Sequence, residues 1–109
     1  MAYPMVCNQC WYSVGQPVVG RLGAYESLET TWVNTGNSNL VGITIAVVHN
    51  NLGQTVEIST AILDLAIGAN GTASPVVFGL VSGEYSASVF VVTAGGVAIS
   101  TTVSVPLFV

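Results

Sequence analysis

The sequence predicts an all-β chain folded as a seven-stranded, two-sheet sandwich with an extended N-terminal arm. Three observations predict it. No window of about eleven residues shows the three-and-four apolar spacing of an amphipathic helix. Alternation and β-branched runs recur from about Val14 to the end of the 109 residues. Clusters of Asn, Gly, Ser and Pro interrupt those runs at short intervals, as they do between the strands of sandwiches and barrels.

The first expected strand is Val14 to Val19, and the second is Leu28 to Asn34. The second runs into Asn34-Thr35-Gly36-Asn37-Ser38-Asn39, whose side chains tolerate a left-handed backbone. The third, Leu40 to Asn50, carries the alternation Ile43, Ile45, Val47 and ends at Asn50-Asn51-Leu52-Gly53, a hairpin signal that makes Val56 to Leu63 its antiparallel neighbour. Thr72 to Phe78 follows. In Glu84 to Thr93, Tyr85, Ala87, Val89 and Val91 form a wholly apolar core face, while Ser86, Ser88, Phe90 and Val92 form a face that turns apolar late. Ala94-Gly95-Gly96 then leads into Val97 to Leu107. Residues 1–13 are left as the arm and 14–109 as the sandwich domain. The arm's Tyr3, Met5, Trp11 and Tyr12 are too much apolar surface for a solvated tail, so it is expected to pack on its own sandwich or on a neighbouring subunit.

Charge is nearly absent. Arg21 is the only strong base, lysine is missing, and charged residues are 6% of the chain, against about 25% in ordinary soluble domains. Five scattered carboxylates give a formal charge of −4, with no basic patch to release counterions from nucleic acid. No DNA or RNA partner is expected. The apolar runs are too short for membrane insertion, which takes about 20 consecutive residues. The first 20 residues lack the basic start and apolar centre of a secretory signal, so synthesis without export is expected. With a mean hydropathy of +0.72, such a surface is expected to be buried in an assembly or kept in water by its surroundings, glycans for instance.

From Leu28 to Pro106 the order of features resembles the immunoglobulin-like domains of the CARDB type, found in prokaryotic surface proteins and as additions to phage virions. Leu28-Glu29-Thr30-Thr31-Trp32-Val33-Asn34-Thr35-Gly36 is similar to that family's second strand and its Asn-x-Gly turn. Ala61-Ile62-Leu63-Asp64-Leu65-Ala66-Ile67-Gly68 is similar to its apolar stretch ending in Gly, and Leu80-Val81-Ser82-Gly83-Glu84-Tyr85 to the approach to its sixth strand. The resemblance implies an immunoglobulin-like sandwich, with Tyr85 as a tyrosine corner, and uses in adhesion and assembly. It implies no catalytic residue.

Cys7-Asn8-Gln9-Cys10 is a C-x-x-C without the following helix that redox catalysis needs. It suits a local or intersubunit disulfide, an inert thiol pair, or a metal site completed by a second arm. His49, alone at a strand end, is expected to be a hydrogen-bonded residue. Glu26, Glu29, Glu57, Asp64 and Glu84 show no spacing that marks a catalytic pair. No enzyme activity, cofactor or resident metal is expected. Trp32 is expected in the core. Trp11 and Tyr12, with Tyr3, Met5, Phe90 and Val92, are the candidate assembly contacts, and Trp11, Tyr12 and Tyr25 also suit a glycan contact. Asn70-Gly71-Thr72 is a glycosylation sequon placed in a turn, meaningful only for an exported chain.

The expected function is a structural virion protein, made in the host cytoplasm: a phage capsid decoration or cement protein. Its partners would be further copies of itself, the major capsid protein, or both. The alternative is a subunit of an archaeal or bacterial extracellular filament, with residues 3 to 14 donated as a strand to the next subunit. A carbohydrate-binding module ranks below both.

Overall fold

Alternating β-branched residues and Asn/Gly turns fold this chain into antiparallel ladders throughout. The computed structural model describes residues 11–13, 15, 17–22, 25–36 and 39–109, and only the backbone at 11–13, 21, 22, 25 and 40. The strands are β1 (Trp11–Ser13), β2 (Val18–Leu22), β3 (Tyr25–Asn34), β4 (Leu40–Asn50), β5 (Thr55–Leu65), β6 (Asn70–Ala73), β7 (Val76–Phe78), β8 (Glu84–Thr93) and β9 (Val103–Phe108). No helix occurs among the described residues.

The nine segments occupy seven strand positions. In the first sheet β3 is central, with β1 and β2 in tandem along one side and β6 and β7 in tandem along the other. The second sheet has the order β5-β4-β8-β9. The two pack as an immunoglobulin-like sandwich of three positions against four. The fourth position, β5, sits beside β4 in the second sheet, whereas constant-type immunoglobulin domains keep their fourth strand in the first.

The core is built from one face of each sheet. Leu28 and Trp32 of β3 are the largest fully buried side chains. The Trp32 indole N–H donates to Thr30 Oγ1 at 2.9 Å, and that hydroxyl donates to the Ala73 carbonyl at 3.1 Å. The one polar atom of the indole is thereby satisfied inside the core, which a buried Trp requires. The second sheet supplies Ala46, Val48, Leu63, Leu65, Ala87, Val89, Val91, Val105 and Leu107.

Two turns show why the strands stop where they do. Asn34 Oδ1 accepts the Gly36 N–H at 3.0 Å and its amide donates to the Leu65 carbonyl at 3.1 Å, so one buried side chain ends β3 and ties it to β5. Asn50 Oδ1 accepts the N–H groups of Leu52 and Gln54, while Gly53 takes a φ of 78° to close the β4–β5 hairpin.

Strand limits differ from the sequence-based expectation most in four places, and by one or two residues at β5, which runs Thr55–Leu65 rather than Val56 to Leu63, and at the end of β9. The first strand lies at Val18–Leu22 rather than Val14 to Val19, with the separate segment Trp11–Ser13 ahead of it, and β3 starts at Tyr25 rather than Leu28. Thus the last three residues of the expected arm pair with β3 of their own chain. Thr72 to Phe78 is split into β6 and β7 at Ser74-Pro75, because proline has no N–H to give the ladder, although Pro75 O still accepts the Leu28 N–H at 2.9 Å. The strand expected from Val97 begins at Val103. Before it lie only isolated bridge residues, Ser100 and, opposite Val92, Ala98. The Ile99 N–H donates to the Val91 carbonyl at 3.0 Å, and Ser100 Oγ takes the Val91 N–H at 2.7 Å in place of a backbone carbonyl.

Candidate functional site

The two sheets turn different chemistry outward. On the outer face of the first sheet lie Ser27, Glu29, Thr31, Asn70 and Thr72 together with half-buried Val33 and Val76, and the Thr31 and Thr72 hydroxyls are joined across the strands at 3.1 Å. Exposed Val18 and Phe78 lie apart on this sheet, on β2 and β7. This is an ordinary solvated sheet face.

The second sheet reverses the usual pattern along β4. Its small residues Gly42, Thr44 and Ala46 face the core with Val48, while Val41, Ile43, Ile45 and Val47 point outward. The facing sheet explains the choice: Trp32 and Leu28 already fill the space, leaving room mainly for small side chains. In the ladders Ile43 lies between Ile62 and Val92, Ile45 between Thr60 and Phe90, and Val47 between Ile58 and Ser88. Seven of these nine positions are apolar. Ile62 is 77% exposed and Ile58 58% exposed. Asp64 flanks the patch at one end and His49 at the other. The alternation of Ile43, Ile45 and Val47 was visible in the sequence, but nothing local says which face it takes.

The residues singled out from the sequence are dispersed. Phe90 is half-buried within the patch just described. Val92 is only 7% exposed, flanked in the ladders by Ile43 and Ala98, so it has almost no surface to offer a partner. Trp11 and Tyr12 have their backbone in β1, opposite Asn34 and Val33, and Tyr25 has its backbone opposite Phe78. Tyr3, Met5, Cys7 and Cys10 lie outside the described residues. The Tyr85 hydroxyl donates to the Val81 carbonyl, four residues upstream, at 2.8 Å, the hydrogen bond of a tyrosine corner.

Asn70-Gly71-Thr72 lies in β6 rather than in a turn, with Asn70 and Thr72 exposed. A Cβ at Gly71 would run into the Leu65 side chain, so the glycine is there for close packing of β6 on β5. His49 Nδ1 shares a hydrogen bond with Thr55 Oγ1 at 3.2 Å. Glu26 is buried and lies opposite Arg21 in the β2–β3 ladder; Glu29, Asp64 and Glu84 are exposed and Glu57 half-buried. No two of the five carboxylates are partners in any ladder. Among the described residues no three His, Cys, Asp or Glu side chains gather where they could hold a metal ion. No helix among them is long and apolar enough to cross a membrane.

No family model matches the chain, and no curated protein matches its sequence. Among solved structures it is similar to a β-glucuronidase from glycoside hydrolase family 2, with a TM-score of 0.66 over 93% of this chain at 14% identity. The chain spans 11% of that enzyme's length. At that identity the likeness is one of fold, and it agrees with the immunoglobulin-like arrangement of the two sheets.

Proposed function

We propose that this chain is a non-enzymatic structural protein of a virus particle, a phage capsid decoration protein whose second sheet is the assembly side and whose first sheet faces water. The observation that carries it is the outward row Val41, Ile43, Ile45, Val47 on β4, larger than the residues β4 gives the core. An uncovered apolar sheet face of that kind is characteristic of an interaction surface. The scarcity of charge and the CARDB-type features of the sequence support the same reading. The test is co-sedimentation of the purified chain with capsids encoded beside its gene, followed by electron microscopy. Stoichiometric attachment in a regular lattice is expected; free chain in the supernatant at saturating capsid overturns the reading.

One observation favours the filament instead. Among the described residues β5 has a ladder on one side only, and this 11-residue edge carries neither Pro nor Lys to blunt it. A donated strand would add there. Deleting residues 1–13 then abolishes polymers, whereas attachment to a capsid is only weakened.

A further inference from the structure

We propose that the outer face of the second sheet is covered by a second copy of this chain, packed sheet on sheet across a twofold axis that runs along the strands between β4 and β8. This rests on the assembly reading above and names the first partner of that face.

Size is the first argument. Three strands, β5, β4 and β8, about 4.8 Å apart and followed from Val41 to His49 at about 3.4 Å per residue, with β9 beside them only from the Ala46 row onward, outline a plane of roughly 450 Å². That is the area of a small interface, below the about 800 Å² per partner of a standard one, so a weak dimer is the expectation. A single strand or peptide would leave much of it uncovered.

Relief is the second. Ile58 and Ile62 stand up along β5, while β8 and β9 offer small residues, Ser88 and Ser104, in the same row as Ile58. The stated axis lays β5 of each copy over β9 of the other and β4 over β8. Ridge then meets trough twice, as an isologous contact demands. The Ser88 and Ser104 hydroxyls already lie 3.4 Å apart, so the trough carries its own hydrogen bond into the interface.

Charge is the third. A twofold contact sets the groups beside its axis, on β4 and β8, near their own copies, where like charges would repel. Between Asp64 and His49 this face holds no charged side chain.

Sedimentation velocity on the full chain from about 1 µM to about 100 µM, the range in which interfaces of this size associate, tests the proposal. Wild type is expected to dimerise. Ile58→Lys and Ser104→Arg, both at exposed positions, are each expected to weaken the dimer by roughly 100-fold by burying an unpaired charge. Val18→Lys places the same charge on the first sheet, where Val18 is 62% exposed, and leaves the dimer intact. Circular dichroism and Tm confirm that each variant is folded. A wild-type monomer throughout, a dimer that survives both Ile58→Lys and Ser104→Arg, or one that Val18→Lys dissociates overturns the proposal. A chain that is monomeric alone yet co-sediments with capsids removes the homodimer and leaves the decoration reading standing. A dimer sensitive to Ile58→Lys that ignores capsids does the reverse.

Discussion

Thr44 is fully buried in β4, and its hydroxyl finds no hydrogen-bond partner among the described residues. An unpaired buried hydroxyl costs about 1–3 kcal/mol, so Thr44→Val, nearly the same shape, is expected to raise stability by about 1 kcal/mol. The corresponding rise in Tm is about 4–8 °C, read by thermal unfolding followed by circular dichroism. Asn34 is the opposite case. Its side chain satisfies the Gly36 N–H and the Leu65 carbonyl in a buried site. Removing it in Asn34→Ala orphans both groups and is expected to cost about 2–3 kcal/mol in urea unfolding. Tyr85→Phe loses a single exposed hydrogen bond to Val81 and is expected to cost about 1 kcal/mol or less. The Asn34-x-Gly36 turn and Tyr85 were both legible in the sequence because turn chemistry is local. The role of Thr44 was not, since an alternating strand reads the same whichever face meets the core.

At the scale of elements, β6 lies against β5 only because position 71 lacks a side chain. Gly71→Ala drives a methyl into Leu65, and overpacking of this kind costs about 1–3 kcal/mol. Combined with Leu65→Ala the two losses are expected to be less than additive, which a double-mutant cycle in denaturant measures. A simple backbone-entropy role for Gly71 predicts full additivity instead. The third and sixth expected strands, Leu40 to Asn50 and Glu84 to Thr93, match β4 and β8 at both ends, because long alternating runs bounded by Asn and Gly are strong local signals. The first and last strands shifted for a reason no local pattern contains. Ser100 Oγ substitutes for a carbonyl in the ladder, and β1 and β2 share the same side of β3.

Among the described residues one sheet turns outward a mixed face with most of the polar groups, the other turns outward a mainly apolar one, and the chain has little charge to keep copies apart. Its formal charge of −4 at pH 7 falls to zero near the sequence pI of about 4.2, so acidification removes repulsion and association should rise steeply as pH drops from 7 toward 4. Light scattering on a pH series checks this. High salt at pH 7 screens the same repulsion between exposed carboxylates, so the proposed dimer is expected to strengthen modestly. The sandwich itself was legible from spacing and turns. Which apolar row of β4 faces outward was not, since that depends on Trp32 and Leu28 of a different sheet pushing the larger residues of β4 outward. That inversion has a kinetic side. β4 carries two competing apolar rows, and a slip of one residue would bury Ile43, Ile45 and Val47 and expel Thr44 and Ala46. The Asn50 turn, the irregularity at Val48/His49, the Asn34 bond to the Leu65 carbonyl and the bulk of Trp32 and Leu28 in the core hold the observed pairing with β5. The two rows are of similar local merit to a newly made chain, and packing against Trp32 and Leu28 is what penalises the wrong register.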